Sequence, residues 1–185
     1  MEYHTIFNGS TIFSKIDLCG AYNLLRIKEG DEHVTAFRTK YGSYEYLVMP
    51  FCLTDSPASF QNLVNDIVAD FLDIFVVVYL DDIMVFYGSE EEHVKHVGSV
   101  LQRLSDKNLS AKASTCVFPA FSVEYLGYVV SSEGFKMDSS KVQQILNWPQ
   151  PNDNKVLQYF LGFANFYGCF IEKLFQKNLC SHFPP

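Results

Sequence analysis

Basic residues are scarce in this chain. It has 14 Lys and Arg residues against 21 Asp and Glu, which gives a formal net charge of −7 at pH 7. Proteins that bind nucleic acid through its phosphates rely on Lys and Arg for most of that affinity. The deficit therefore excludes a general nucleic-acid binder with a broad basic surface, and any contact with DNA or RNA must be local.

The sequence also lacks paired cysteines and long apolar runs. Its 5 Cys residues form no CxxC pair and have no His partners at zinc-ligand spacing. Because their number is odd, a closed disulfide framework is not expected, and we predict free thiols in a reducing compartment. The longest apolar run, from Ile74 to Leu80, is far shorter than the roughly 20 residues that span a bilayer. We therefore predict no membrane span and no signal peptide.

Apolar and aromatic residues, by contrast, are plentiful. Hydrophobic residues make up 48% of the 185 residues, and there are 17 Phe and 11 Tyr. This composition is typical of packed globular proteins and not of disordered chains. The length suffices for one domain with a buried core, followed by a small second lobe.

Hydrophobic periodicity predicts short strands between amphipathic helices. Strands are predicted at Thr11–Leu18, Leu24–Ile27, Val34–Arg38, Tyr44–Val48, Ile74–Tyr79, Ile83–Phe86 and Val123–Val130. The third and fourth strands, and likewise the fifth and sixth, are separated by short turns and are expected to form hairpins.

Helices are predicted from their caps and apolar stripes. The first begins at Ser56, with Ser56 as its N-cap and Pro57 at the first helical position. The second begins at the capping box Ser89–Glu92. Two more are predicted at Ser140–Trp148 and Asn154–Ile171. The element order predicts an α+β fold in which helices cover one face of an antiparallel sheet, with a small helical lobe behind it.

Carboxylates end two of the predicted strands. Asp17 ends the first strand, and Asp81 and Asp82 follow the apolar run that begins at Ile74. If these strands are neighbours, the carboxylates lie together, and hard cations such as Mg²⁺ neutralise such a cluster. Two such ions can clamp an in-line phosphoryl displacement, which is polymerase chemistry. The alternative is that Asp81 and Asp82 only form a polar hairpin turn.

The histidines do not predict a zinc site. His93 and His96 lie three residues apart in a predicted helix with acidic neighbours, and no Cys lies near them or near His33. We predict that His93 and His96 belong to a solvated helix face.

Four sequence blocks, in order along the chain, point to a family. They are Phe13–Leu18 (FSKIDL), Tyr46–Phe51 (YLVMPF), Tyr79–Ile83 (YLDDI) and Leu161–Tyr167 (LGFANFY). Together they resemble the reverse transcriptases of gypsy-type LTR retrotransposons, and the resemblance runs from Thr11 to Ile171. Four ordered blocks are far more specific than one tetrapeptide.

The resemblance implies a polymerase palm and a set of catalytic residues. Asp17 and Asp81 are implied as the main metal ligands, and Asp82 as a supporting carboxylate. The implied cofactors are two Mg²⁺ ions, with Mn²⁺ as an alternative. Lys112 is implied to approach the triphosphate and to protonate the departing pyrophosphate. A solvated surface position is the alternative for Lys112.

The resemblance also implies residues that bind substrate. Tyr22 is implied as the aromatic side chain that screens out a ribose 2′-hydroxyl, and Phe51 and Cys52 as lining the nucleotide pocket. The primer end is implied to be gripped by Leu126, Gly127 and Tyr128. The alternatives are core packing for Tyr22, a loop for Phe51 and Cys52, and a core strand for the last three.

The sequence departs from the family pattern at several positions. Cys52 stands where the family usually has Gly, which is used for close backbone approach or positive φ, so its side chain is expected to obstruct the nucleotide. Expected basic residues are replaced by Cys19, Val34, Gly168 and Cys169. We expect the N-terminal fingers segment to be largely missing, residues 1–130 to form the palm, and residues 131–185 to form a partial thumb with a divergent tail.

The function implied by the resemblance is RNA-directed DNA polymerase activity. The implied partners are an RNA or DNA template with a DNA primer, dNTPs, and other retrotransposon polyprotein domains such as RNase H and integrase. The alternative from another class is a catalytically inactive retrotransposon remnant or a domesticated binding module. A two-metal nuclease is a third interpretation, but it leaves the Tyr-Leu-Asp-Asp hairpin unexplained.

Overall fold

The computed structural model describes residues 7 and 9–166 of the chain. Within them the strands are β1 (Ile12–Asp17), β2 (Phe37–Thr39), β3 (Gly42–Tyr44), β4 (Val76–Tyr79), β5 (Asp82–Tyr87), β6 (Val117–Ala120), β7 (Ser122–Tyr125), β8 (Tyr128–Ser131) and β9 (Gly134–Met137). The helices are α1 (Ser56–Ile67), α2 (Glu90–Asp106), α3 (Ser139–Leu146) and α4 (Asn154–Phe166). This mixture of helices and antiparallel sheets confirms the predicted α+β class.

The central sheet has the strand order β4-β5-β1-β6. β1 pairs antiparallel with β5 and with β6, and β5 pairs antiparallel with β4. One face of this sheet packs against α1 and α2, because residues of both helices share one core cluster with residues of the strands. The buried members of that cluster include Ile16, Val76, Ile83 and Val85 of the sheet, Phe60, Val64 and Ile67 of α1, and Val100 and Leu104 of α2.

The opposite face of the sheet has an apolar part and a charged part. Side chains alternate between the two faces along a strand, so Phe13, Lys15 and Asp17 share the face that does not meet the helices. Phe13 is fully buried, and Phe7 lies against it with ring centroids 6.2 Å apart. Asp17 and its register partner Asp82 lie at the other end of the same face. The charged end is therefore partly exposed, whereas the apolar end is covered.

Both predicted hairpins are confirmed, with shifted bounds. β4 and β5 pair through Tyr79 and Asp82, so only Leu80 and Asp81 lie in the turn, and Asp82 is the first residue of β5. The other hairpin, β2–β3, is shorter than predicted, because Glu32–Thr35 form a 3-10 turn instead of a strand. Of its predicted second strand, Tyr44–Val48, only Tyr44 lies in β3. Of the predicted strand Leu24–Ile27, Arg26 forms a single antiparallel bridge to Val48.

The predicted strand Val123–Val130 is wrong as a single element. It is two strands, β7 and β8, separated by a turn at Leu126 and Gly127, which have φ of 53° and 81°. Two successive residues with positive φ form the tight turn that two-residue hairpins require. β7, β8 and β9 form a three-stranded sheet in that order. β6 and β9 are not among the predicted strands.

The helix starts need two corrections. α1 begins at the predicted position, but its N-cap is Asp55, and the Ser56 hydroxyl instead donates to the Pro50 carbonyl at 2.9 Å. Ser89 is the N-cap of α2 as predicted, yet its side chain makes no capping hydrogen bond, so the capping box is wrong. At the N-terminus of α3, the carboxylate of Asp138 accepts from the Ser140 hydroxyl at 2.5 Å and from the Ser140 amide at 2.9 Å, and these bonds lower the pKa of Asp138.

The predicted solvated face of α2 is wrong for its histidines. His93 is 1% exposed and lies on the side of the helix that packs against β1. His96 stacks on the ring of Phe75, with centroids 3.9 Å apart. The acidic neighbours of His93 and His96 indicated a solvent-exposed position. Residues three or four apart lie on the same face of a helix, however, and the face with these histidines packs against the sheet.

The described residues fall into two compact units, one within Met1–Tyr125 and Val130–Gly134, the other within Leu126–Val129 and Phe135–Pro185. In the second unit, Trp148 stacks on Phe163 with centroids 5.4 Å apart. The proposed palm and thumb boundary at residue 130 stays a prediction. The end of the fourth family-like block and the predicted divergent tail lie outside the described residues. No helix in the described part of the chain is long and apolar enough to cross a membrane.

Candidate active site

The three predicted site carboxylates lie at one end of the β1–β5 ladder. Asp17 is the last residue of β1 and pairs in register with Asp82, the first residue of β5. Side chains directly opposite in an antiparallel pair are about 5 Å apart at Cβ. Asp81 lies in the adjoining turn, and its carbonyl accepts a hydrogen bond from the Leu18 amide at 2.9 Å. The fold therefore brings together residues that are far apart in sequence.

Asp17 is held by the segment that precedes β6. Its Oδ2 accepts from the Thr115 hydroxyl at 2.5 Å, and its carbonyl accepts from the backbone amide of Lys112 at 2.8 Å. The amide of Asp17 in turn donates to Sγ of Cys116 at 3.4 Å. The backbone of Lys112 thus lies beside Asp17, while its side chain is exposed. The catalytic role of Lys112 stays a prediction.

Asp82 has a different partner. Its Oδ1 lies 3.0 Å from Nζ of Lys15, and about a quarter of each side chain is exposed, 25% for Asp82 and 23% for Lys15. The phenol of Tyr125 donates to the Asp82 carbonyl at 3.3 Å. Asp81, by contrast, is exposed. The ammonium group of Lys15 therefore compensates part of the negative charge that collects at this end of the sheet.

The carboxylates provide the kind of donor that Mg²⁺ and Mn²⁺ prefer, since hard divalent cations bind oxygen ligands. Within residues 7 and 9–166, no three His, Cys, Asp or Glu side chains are arranged as a ready metal-binding cluster. Asp17 and Asp82 instead engage Thr115 and Lys15. The donor set fits a divalent cation chemically.

Tyr22 packs between two other aromatic rings beside the acidic turn. Its ring stacks on the buried Phe60, with centroids 4.3 Å apart and planes at 21°, and lies 4.7 Å from the ring of Phe51. Burial raises the pKa of Tyr22, and the charges of Asp81 and Tyr79 raise it further. The ring of Tyr22 therefore packs with aromatic residues, while its hydroxyl interacts electrostatically with the acidic turn.

Phe51 and Cys52 lie in the loop before α1. Phe51 is 67% exposed, and Cys52 is exposed as a free thiol. Cys52 is not among the described residues with positive φ, so its backbone does not need glycine. Its side chain alone decides whether it obstructs a ligand.

Leu126, Gly127 and Tyr128 lie in the turn and at the start of β8. Leu126–Val129 belong to the second compact unit. Their predicted role at a primer end stays a prediction.

Sequence reasoning missed three residues that contact the acidic turn or its carboxylates. Lys15 is two residues before Asp17, so strand alternation places it on the same face, and this spacing could have revealed it. Thr115 and Gln61 had no such signal. The side-chain oxygen of Gln61 in α1 accepts a hydrogen bond from the Leu80 amide at 2.7 Å. This contact forms only because α1 packs on the β4–β5 hairpin.

Comparison with known proteins finds a matching family and similar chains. Residues 2–130 match the family described as "Reverse transcriptase (RNA-dependent DNA polymerase)". The chain is 44% identical over 168 residues to the Transposon Tf2-3 polyprotein of Schizosaccharomyces pombe, and the match covers 91% of this chain. The chain spans 13% of the length of that polyprotein.

Solved structures share the fold. A foamy viral protease-reverse transcriptase in complex with an RNA/DNA hybrid has a TM-score of 0.79 at 24% identity, over 90% of this chain and 23% of that one. A second foamy viral structure, in complex with double-stranded DNA, has a TM-score of 0.81 at 24% identity, over 90% of this chain and 29% of that one. These likenesses establish the palm-containing fold.

Proposed function

The chain belongs to the reverse transcriptase (RNA-dependent DNA polymerase) family and is a reverse transcriptase domain of the LTR-retrotransposon kind, and we propose that it is of the gypsy type and extends a DNA primer. The reaction adds dNTPs to a primer 3′-hydroxyl on an RNA or DNA template. The observation that carries the proposal is the pairing of Asp17 with Asp82 beside the Asp81 turn.

In this proposal Asp17, Asp81 and Asp82 hold two Mg²⁺ ions, or Mn²⁺. When bound, such ions lower the pKa of the attacking hydroxyl and neutralise the charge that develops on the phosphates. The primer 3′-oxygen forms a bond to the α-phosphorus, and the bond from that phosphorus to the bridging oxygen breaks. Lys112 Nζ gives its proton to the departing pyrophosphate, while the proton of the primer hydroxyl passes to water.

Tyr22, Phe51 and Cys52 form the nucleotide pocket in this proposal. The ring of Tyr22 is fixed by stacking on Phe60, so it cannot swing aside to admit a 2′-hydroxyl at low cost. The exposed ring of Phe51 adds an apolar wall. The pocket would therefore accept a deoxyribose and reject a ribose by shape.

Template and primer are the proposed partners of this domain. The foamy viral relatives were solved with an RNA/DNA hybrid and with double-stranded DNA, which supports a duplex substrate here. We assign the grip on the primer end to Leu126, Gly127 and Tyr128. Because the matching polyproteins are much longer than this chain, we propose that RNase H and integrase domains of the same polyprotein work with it.

A second candidate function is a non-catalytic binding module descended from a retrotransposon. The exposed Cys52 side chain beside Phe51 favours it, because added volume there narrows the nucleotide pocket. The core would persist without activity, since Phe60, Val64 and Val76 are fully buried and their packing does not depend on catalysis.

Primer extension on poly(rA)·oligo(dT) with Mg²⁺ tests the proposal. The variants to compare are the chain as given, an Asp81→Asn, Asp82→Asn double variant, and Asp66→Asn, an exposed acid of α1, as the matched control. Extension by the chain and by the Asp66 variant, but not by the double variant, supports the polymerase. A folded chain without extension, with folding verified by circular dichroism, supports the binding module.

A further inference from the structure

The turn that carries Asp81 has a strained backbone. Leu80 has φ of 54°, a left-handed conformation that side chains with a Cβ avoid and that glycine adopts freely. Of the two central residues of this turn, only Leu80 has positive φ. Hairpin turns with positive φ at the first central position alone normally have glycine there. The strain therefore lies in the residue next to a proposed metal ligand.

One side chain of α1 holds this turn. Oε1 of Gln61 accepts the backbone amide of Leu80 at 2.7 Å. Nε2 of the same side chain donates to the carbonyl of Val78 at a longer 3.4 Å. Gln61 therefore contacts the end of β4 and the first turn residue at once, and it is partly buried where it does so.

The orientation of the Gln61 amide is fixed by a second residue of the helix. Nε2 donates to Oδ1 of Asn65, one helical turn later, at 2.8 Å. This bond requires the nitrogen of Gln61 to face Asn65, which leaves the oxygen to face the Leu80 amide. The side-chain oxygen of Gln61 thus accepts from Leu80, while its nitrogen donates to Asn65 and Val78.

We propose that Gln61 is a positioning residue for the polymerase reaction, holding Leu80 in its strained conformation and thereby fixing the Asp81 carboxylate next to Asp17 and Asp82. The inference rests on the proposed function, because it assigns Asp81 to the chemistry. In this role Gln61 acts through the turn and not directly on substrate or metal. Without its acceptor, the turn relaxes to a conformation with negative φ at Leu80 and carries the Asp81 carboxylate with it.

The test compares Gln61→Met, which keeps the size of the side chain but loses all its polar bonds, with Gln61→Glu. Glutamate keeps an acceptor for the Leu80 amide and loses the donors. For Gln61→Met we expect kcat for primer extension to fall by about ten- to a hundredfold, with KM for dNTP nearly unchanged, since small misplacements of reacting groups have effects of that size. Gln61→Glu is expected to recover a substantial part of the lost kcat.

The matched control is Val64→Ala on the same helix. Val64 is fully buried in the core cluster and has no polar side-chain atom that could hold the Leu80 amide, so its truncation lowers stability without removing that hydrogen bond. If Val64→Ala lowers the unfolding temperature as much as Gln61→Met but leaves kcat of the folded protein intact, a merely structural role for Gln61 is excluded. Equal losses of kcat in the two variants would overturn the proposal.

The Leu80→Gly substitution supplies a second test of the same proposal. Glycine adopts positive φ without strain, so the loss caused by Gln61→Met should be clearly smaller in the Leu80→Gly background than in the original chain. An undiminished loss would show that Gln61 does not act by holding the strained turn.

Amide hydrogen exchange separates this inference from the proposed function. The Leu80 amide should be protected in the chain and should lose protection in Gln61→Met, whether or not the chain extends primers. Protection without any primer extension would refute the polymerase function. It would leave the hydrogen bond in place but overturn the positioning role of Gln61 in catalysis. An unprotected Leu80 amide in the folded chain would overturn the inference itself.

Discussion

The Ser14 hydroxyl lies 2.7 Å from Nε2 of His93, and this buried hydrogen bond joins β1 to α2. The other ring nitrogen of His93, Nδ1, is buried and has no hydrogen-bond partner within the described part of the chain. Burial lowers the pKa of His93, and the neighbouring His96 lowers it further. His93 is therefore held neutral inside the fold, at the junction of the helix and the strand that ends at Asp17.

This lowered pKa predicts that the protein loses stability in mild acid. The unfolded chain has ordinary histidines with a pKa of about 6.5, so it binds protons more readily than the folded chain does. The stability contributed by neutral His93 is fully present above that pH and is lost as the pH falls towards the folded pKa. Urea unfolding measured at several pH values between about 8 and 5 should show this decline.

A substitution isolates the contribution of His93. His93→Gln keeps a partner for Ser14 but does not titrate, so the decline with falling pH should become shallower. A residual slope is expected from His96, whose pKa burial also lowers, with the Glu92 charge opposing and the Lys95 charge adding to the shift. His33→Gln, at an exposed position, is the control, and a slope that His93→Gln leaves unchanged would contradict the prediction.

Tyr22 is predicted to select against ribonucleotides. Tyr22→Val removes the ring that stacks on Phe60, and the ratio of kcat/KM for dNTP to that for rNTP should fall at least about tenfold, equivalent to about 1.4 kcal/mol. Tyr22→Phe keeps the ring and should keep the selection. Single-nucleotide incorporation assays give both values of kcat/KM, and undiminished selection in the valine variant would remove Tyr22 from this role.

Cys52 is predicted to weaken nucleotide binding. Because its backbone has no positive φ, Cys52→Gly changes the volume of the pocket and not a required conformation. KM for dNTP should fall by about three- to tenfold, the range expected when a small group is removed from a binding pocket. Cys52→Ala should give an intermediate value. An unchanged KM in both variants would show that the thiol does not obstruct the nucleotide.

The ion pair between Lys15 and Asp82 is predicted to add modestly to stability. A double-mutant cycle with Lys15→Met and Asp82→Asn should give a coupling free energy of about 1 kcal/mol or less, because both side chains retain contact with solvent. The coupling should shrink in high salt. Chemical denaturation of the four proteins measures it, and strictly additive effects would mean that the pair contributes nothing.

The elements whose patterns are local were predicted well. The stripe at Phe60, Val64 and Ile67 gave α1, and all three side chains are buried as that stripe requires. The apolar run before Asp81 gave the β4–β5 hairpin. Both signals depend only on side-chain periodicity, which the sequence contains in full.

The wrong predictions concern polar side chains that had both a local and a distant possible partner. Ser56 matches the sequence pattern of an N-cap, but its hydroxyl donates a hydrogen bond to the Pro50 carbonyl instead. His93 has acidic neighbours, yet its face of α2 meets β1. In each case a tertiary contact replaced the partner that local spacing favoured.

By itself, the sequence determined the family, the α+β class, and the identity of the three carboxylates at the ends of their strands. Only the tertiary structure decided which groups contact those carboxylates or the turn that carries Asp81: Thr115 at Asp17, Lys15 at Asp82, and Gln61 at the Leu80 turn. The physical reason is that strand ends and apolar runs are encoded by neighbouring residues. Hydrogen bonds between residues separated by 98 positions, as for Asp17 and Thr115, exist only once the strands and helices have packed.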